Sequence, residues 1–294
     1  MKNSKWVFAA FGSITIVILP FCNSFMYAQV FEGDSFEQIQ ENGGGEVVVA
    51  FYEEAAFAYY DENGQPTGVA LDIIDRLLSF VKDRHNVELQ VTYEPHDSWP
   101  EFYDNIMNSR GGVIGTGNVT ITEDRKTLFD FSPPYLTNIA VLITHESVAD
   151  LRSVENISDE FSGKTAVSYE GTTHEVRINN LVEQGWENLD IVSAETDQEV
   201  IDFVSNNPQS FGYIDLYNYW MAVEEDGYPI KRHEVGDQTS ENFGLIMPSD
   251  TDWRDPVEEF FNIGSGFRAT TTYRDILQEH LGHEVSRLLQ MARQ

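Results

Sequence analysis

Apolar and polar positions alternate along the chain in two rhythms. Val47-Val48-Val49-Ala50-Phe51 is a continuous, largely β-branched run, the pattern of a strand buried on both faces of a parallel sheet. From Asp72 onward, Ile73, Ile74, Leu77, Leu78 and Val81 keep a helical period, and Leu89-Gln90-Val91-Thr92-Tyr93 alternates as a strand. Asp97 or Ser98 can cap a second helix with Pro100 in its first turn; Trp99, Phe102, Tyr103, Ile106 and Met107 trace its expected buried stripe. A short apolar run, Val113-Ile114, then predicts a third strand, so the first part of the chain reads as a βαβ lobe.

Residues 139–144 predict another strand, and the grammar then restarts. Thr165-Ala166-Val167-Ser168-Tyr169 is a strand, followed by Gly171-Thr172-Thr173 and a helix carrying Val176, Leu181 and Val182. A strand near 190–192, a helix over 199–204 and the strand Phe211-Gly212-Tyr213-Ile214 complete a second αβ unit. Phe243-Gly244-Leu245-Ile246-Met247 predicts one more strand, and helices marked by Val257, Phe260 and Phe261, then by Ile276, Leu277 and Leu281, close the chain. No fixed-period repeat underlies the restart. In such sheets a ligand sits beyond the carboxyl ends of the strands, which directs attention to the stretches that follow them.

Composition narrows the partners. The 294 residues suggest about two domains. With 18 basic and 49 acidic residues the net charge is −31, which argues against nucleic acid or an anionic membrane surface as partner. It fits a chain in a saline or exposed medium and mildly favours cationic or zwitterionic ligands, although a solvated acidic surface is the plainer meaning. Lys2 and Lys5 precede an apolar stretch over 6–21, and small residues follow, as in an export signal cleaved after Ala28 or Ser24; an uncleaved anchor is the alternative. Cys22 is the sole cysteine, so cleavage leaves no thiol for a disulfide, a metal or a nucleophile. The seven histidines are scattered without metal-ligand spacing, and no phosphate-cradling or Gly-x-Ser-x-Gly motif is present. Neither a cofactor nor a metal is expected, and Glu279-His280 reads as a helix surface pair.

Three post-strand stretches carry matching chemistry. Thr120 to Arg125 combines hydroxyls, backbone N–H groups and an arginine whose planar fork suits a carboxylate. Gly171-Thr172-Thr173 opens a helix whose free N–H groups favour an anion. Asp215 directly follows a buried strand. Singly, each has a structural reading as loop arginine, helix cap or turn. Together they offer a carboxylate clamp and an ammonium acceptor, the two needs of a free α-amino acid.

In this order the parts resemble the family 3 extracellular solute-binding proteins, amino-acid receptors of ATP-driven importers. The matching elements are Gly68-Val69-Ala70-Leu71-Asp72, Thr120-Ile121-Thr122-Glu123-Asp124-Arg125 with Phe129-Asp130-Phe131-Ser132-Pro133-Pro134-Tyr135, Gly163 through Thr173, Gly212-Tyr213-Ile214-Asp215 and Phe243 through Met247, spanning about 46–281. The resemblance implies a two-lobed α/β fold of the type II periplasmic-binding-protein kind, each lobe a βαβ sheet flanked by helices, with two crossing strands near 139–144 and 242–247. It divides the chain into a signal peptide (1–28), a flexible lead-in (29–45), a first lobe (46–142 and 243–294) and a second lobe (143–242). It gives Arg125 the ligand carboxylate, Thr120 and Thr173 supporting donors, Asp215 the ligand ammonium and Asn118 a polar contact to the amine; Thr172, from the Gly-Thr-Thr stretch, is a further ligand-binding candidate. The loop after the first strand departs from the family, lacking its usual proline. Tyr52, Glu53 and Phe57 are candidates to line the pocket, with a solvent-facing arrangement the alternative, and Glu53 or Glu54 would favour a basic side chain. The implied protein is a periplasmic or secreted monomer that closes by hinge motion on an amino acid and docks on an inner-membrane ABC permease. Two other readings stay open: a cyclohexadienyl dehydratase-like enzyme using Glu175, and a ligand-sensing partner of a membrane receptor.

Overall fold

A computed structural model describes residues 30–291, apart from the side chains of Thr239 and Ser240; the expected signal segment 1–28 lies outside the described residues. Helix α1 (Phe36–Asn42) leads into β1 (Gly44–Tyr52), the small ribbon β2 (Tyr59–Tyr60) and β3 (Pro66–Thr67), α2 (Val69–His85), β4 (Glu88–His96), α3 (Trp99–Asn108), β5 (Val113–Thr116) and β6 (Phe129–Phe131). Strand β7 (Leu136–His145) opens a second unit of α4 (Ile157–Glu160), β8 (Thr165–Tyr169), α5 (Thr173–Glu183), β9 (Asp190–Ala194), α6 (Asp197–Asn206), β10 (Ser210–Asp215), α7 (Leu216–Trp220), β11 (Ile230–Arg232) and β12 (Gln238–Phe243). The chain then returns through β13 (Ile246–Pro248) to α8 (Arg254–Asn262) and α9 (Thr271–Met291).

Two sheets result. The first has strand order β4-β1-β5-β13-β6, with β1 parallel to both neighbours; the second runs β11-β7-β10-β8-β9, with β12 also on β7. The apolar run of β1 is buried from Val47 to Tyr52, as its unbroken hydrophobicity requires. Helix α2 covers it with Ile73, Ile74, Leu77, Leu78 and Val81, all buried. Its N-cap, Gly68, has φ 122°, and a Cβ there would lie 2.5 Å from the Phe57 carbonyl, so only glycine fits. Of the stripe expected on α3, Phe102 and Ile106 are buried, Met107 is exposed, and Trp99 and Tyr103 are half-buried. No helix among the described residues is long and apolar enough to cross a membrane.

Four expectations need correction. Of the lead-in expected over 29–45, the described residues 30–45 are not a loose tether. Ser35 and Gln38 form a capping box at the start of α1, the Asp252 carboxylate accepts the Phe36 and Glu37 amides at 2.9 Å each, and buried Trp253 donates to the Asp34 carbonyl. The lobe division expected at 142 cuts through β7, whose residues pair throughout in the second sheet with β10, β11 and β12. The strand expected over 243–247 is two strands in different sheets, β12 and β13, broken at Gly244-Leu245 where the chain crosses back. Finally, Glu279-His280 is not merely a surface pair: the His280 side chain is buried and its Nε2 lies 2.8 Å from Asp72 on α2.

Candidate functional site

The carboxyl ends of β5 in the first lobe and of β8 and β10 in the second open on a common cleft. After β5, Gly117 sits where a Cβ would come 2.7 Å from that of Tyr52, and Asn118 follows with φ 58°, a left-handed conformation that asparagine tolerates. This reversal sets Thr120 beside Phe243 of β12. The next turn is fastened by Thr122, whose hydroxyl accepts the Arg125 amide at 3.2 Å. The Arg125 guanidinium then donates through Nη1 to the Thr120 carbonyl at 3.1 Å and lies 5.4 Å from the centre of the Tyr103 ring. One edge of the fork is thereby held, while its other donors have no hydrogen-bond partner among the described residues. A planar donor pair fixed in this way is ready for a carboxylate.

From the other lobe, Thr172 caps α5, donating its hydroxyl to the Tyr169 carbonyl and accepting the His174 amide. Glu175 accepts the Gly171 amide at 2.9 Å. The Thr173 hydroxyl is already engaged, donating to Glu241 at 2.6 Å and accepting from Arg177 at 3.1 Å. What Thr173 can still present to a ligand is its main-chain N–H, at the positive end of the helix.

Between these walls lies a network of ions. Asp215 ends β10; its Oδ1 accepts from Asn138 at 2.7 Å and stands 3.3 Å from His174 Nε2, leaving Oδ2 for a further donor. Glu241, buried on β12, meets Arg177 at 2.5 Å and Asn138 at 3.1 Å. Burial alone would raise the Glu241 pKa, but the charges of Arg177 and His174 outweigh it and hold the carboxyl below its ordinary range. Burial likewise pulls His174 down, yet the hydrogen bond and charge of Asp215 win and leave the imidazole above its usual value.

Among the described residues, neither Glu54 nor Asp197 forms an ion pair. Burial pushes Glu54 well above the carboxylate range, helped by the charges of Asp197 and Asp215. Burial also carries Asp197 up to about 7, with Asp215 adding to it and His174 opposing. Asp197 Oδ2 accepts from Asn218 at 2.8 Å, whereas Oδ1 is buried with no partner among the described residues. Because the ordinary value is 3.8, between about pH 4 and about 7 the folded chain holds a proton here that the unfolded chain has lost. This group therefore opposes folding above about pH 7, and the penalty fades as the pH falls. Glu241 works in the opposite sense, its contribution being lost only below the ordinary glutamate range. Asp197→Asn should accordingly raise the melting temperature of the ligand-free protein at about pH 8, by an amount that shrinks towards about pH 5. Scanning fluorimetry across that range checks it; a gain independent of pH would contradict the assignment.

Asn118, Thr120, Arg125, Thr172, Thr173 and Asp215 are thus brought together in one cleft. Tyr52 lies at its border: it stacks on Trp99 at 4.2 Å, its hydroxyl is 3.4 Å from that of Tyr169, and it lines an adjoining chamber. Phe57 does not line the cleft. It is buried edge-on against Tyr217 and Phe243, because the turn closed by Glu54 and Ala58 directs it into the core. Sequence reasoning missed Trp99, Tyr103, Tyr169, His174, Asp197 and Glu241 as lining residues. Trp99 and Tyr103 are four apart on α3 and matched a core stripe, and an acid after the N-cap Thr196 is ordinary helix grammar. Glu241 had one available signal, a charge inside a strand. Elsewhere, Asp72, Glu279 and His280 place ligand atoms within 4.8 Å of one another. Such a grouping across α2 and α9 is invisible to motif spacing, and the direct Asp72–His280 bond accounts for it without a metal.

Similarity to known proteins follows the same outline. The model of the bacterial extracellular solute-binding proteins, family 3, matches residues 47–283. The glutamate/aspartate import solute-binding protein of Escherichia coli K12 is 28% identical over 167 residues, covering 55% of this chain and 51% of that protein. Membrane-bound lytic murein transglycosylase F of Pseudomonas fluorescens is 24% identical over 234 residues, 78% of this chain and 44% of that protein. The chain thus spans about half the length of the curated relatives it matches. Among solved structures, the arginine-, lysine-, histidine-binding protein ArtJ of Geobacillus stearothermophilus superposes with a TM-score of 0.60 at 20% identity, over 83% of this chain and 99% of that one.

Proposed function

Because the chain belongs to the bacterial extracellular solute-binding proteins of family 3, we propose that it is a receptor for a free amino acid, captured between two lobes and delivered to an ATP-driven membrane permease. One observation carries this reading. The cleft sets the open fork of Arg125 on one lobe and an unengaged oxygen of Asp215 on the other around a single space. A carboxylate and an ammonium on one carbon satisfy both at once. In this mechanism the open form takes the ligand carboxylate on Arg125 and the Thr120 main chain. The second lobe then swings in, adding the α5 amides at Thr173 and the Asp215 carboxylate. In this reading the protein works outside the cytoplasm, which its membership of an extracellular solute-binding family supports.

Binding without chemistry is favoured over catalysis by the position of Glu175. The residue that the dehydratase-like alternative would use accepts the Gly171 amide and caps its own helix, and it is not among the side chains lining the cleft.

The test is a thermal-shift screen of protein unfolded and refolded to strip bound ligand, with the twenty amino acids, small dicarboxylates, polyamines and prephenate. A ligand at about a hundred times its dissociation constant adds about 2.7 kcal/mol, a clear shift. The expected result is a response to free amino acids. Silence from all of them, or a response to prephenate with turnover, overturns the reading.

A further inference from the structure

Resting on the receptor reading, we infer that the inter-lobe acidic pair Glu54 and Asp197 is a subsite for a cation, and that the ligand is an amino acid whose long side chain ends in an ammonium or guanidinium group. Charge, shape and an unmet hydrogen bond agree on this. Four carboxylates line the cleft, from Glu54, Asp197, Asp215 and Glu241, while the guanidiniums near them are Arg125 and Arg177. The difference is two negative charges with His174 neutral and one with it protonated. A zwitterionic amino acid brings no net charge and leaves that excess buried. A cationic side chain cancels one unit of it.

The position of the excess is specific. Arg177 is committed to Glu241, and His174 to Asp215, so the unpaired acids are Glu54 and Asp197. They come from opposite lobes, Glu54 from the turn after β1 and Asp197 from the first turn of α6. Asp197 Oδ1 is buried and lacks a donor, and a cation with several N–H groups supplies one. The space beside Arg125 is narrow, about 50 Å³, and leads past Glu54, Tyr169 and Asp197 into an adjoining chamber of about 300 Å³. Those three residues border both spaces, so they form a neck. An α-carbon held at Arg125 and Asp215 sends its side chain through it, and only a long chain reaches both carboxylates. The pair also gates closure. Without a cation, bringing the lobes together sets two desolvated acids face to face; with one, the same approach is attractive.

Titration calorimetry on unfolded and refolded protein tests the subsite, with L-arginine, L-lysine and their neutral counterparts L-citrulline and L-norleucine. The expected result is that at least one cationic ligand binds about 30-fold or more tighter than its neutral counterpart, the difference made by one charge-assisted interaction of this class. Glu54→Gln and Asp197→Asn should each narrow that preference about tenfold while leaving citrulline or norleucine binding within about threefold. Both substitutions preserve shape and remove a buried charge, so ligand-free melting temperatures should hold or rise. Arginine binding near pH 7 should also release protons, read as a dependence of the binding heat on buffer ionisation enthalpy. Equal or tighter binding of the neutral counterparts, with affinity that still depends on Arg125, sinks the cation subsite and leaves the receptor reading standing; Glu54 and Asp197 would then act as protonated donors to a polar side chain. A preference unaltered in both variants sinks the assignment of these residues. Failure of every amino acid to bind overturns both readings together.

Discussion

Arg177→Ala is expected to destabilise the ligand-free protein by about 3–5 kcal/mol, the largest effect of any single substitution considered. Arg177 is buried on α5 and its guanidinium is fully committed: to Glu241 at 2.5 Å, to Gln238 at 2.9 Å, and to Thr173 and His174 at 3.1 Å each. Removing it leaves the Glu241 carboxylate desolvated without its cation, and the cost is chiefly that of the stranded charge. Urea titration at about pH 7.5 measures the loss. The double variant Arg177→Met/Glu241→Leu should recover most of it, because a buried ion pair replaced by apolar groups of similar volume is often close to neutral. If Arg177→Ala alone costs under about 1 kcal/mol, the pair is not held as described.

The second large effect falls on affinity. Arg125→Ala should weaken binding of whichever amino acid the screen identifies by about 30-fold or more, since losing one partner of a buried charge pair costs about 2–5 kcal/mol. Its effect on stability should be small, because among the described residues Arg125 makes one side-chain hydrogen bond, to the Thr120 carbonyl, and one ring contact, to Tyr103. Arg125→Lys should fall between the two, keeping the charge and losing the fork. Calorimetry on the three proteins decides. Wild-type affinity in Arg125→Ala would remove the carboxylate clamp from the mechanism.

Much of this was legible before any coordinates. Strand β1 and helix α2 follow from hydrophobic period alone, and the rule that ligands sit at strand ends directs attention to Arg125, Thr173 and Asp215, which the structure brings to one cleft. The loop after β1 was not legible, because Tyr52, Glu53, Glu54 and Phe57 have no periodicity to set their facing. A turn closed by two main-chain bonds between Glu54 and Ala58 decides it, turning Phe57 into the core and leaving Glu54 at the cleft. Glu241 and Arg177 were hidden for another reason. They lie 64 residues apart, as their numbers show, and nothing local marks either as the other's counter-ion. Residues 35–38 carry a visible capping box, but a polar stretch before three glycines also has the composition of a linker, and composition alone does not separate the two.

Asn138 and Glu241 face each other in register on β7 and β12, the two strands through which the chain passes between its sheets. Asn138 also holds Asp215, and Glu241 holds the first turn of α5 through Thr173 and Arg177. If the chain closes on a ligand as proposed, the bending element and the ligand-reading element are the same few side chains. A small flexure at this pair tilts Asp215 and the α5 amides directly, as a wrist turns the fingers. Mechanical slack at the joint would register as loss of selectivity at the grip, so substitutions that soften β12 should blur discrimination among ligands before they weaken the fold.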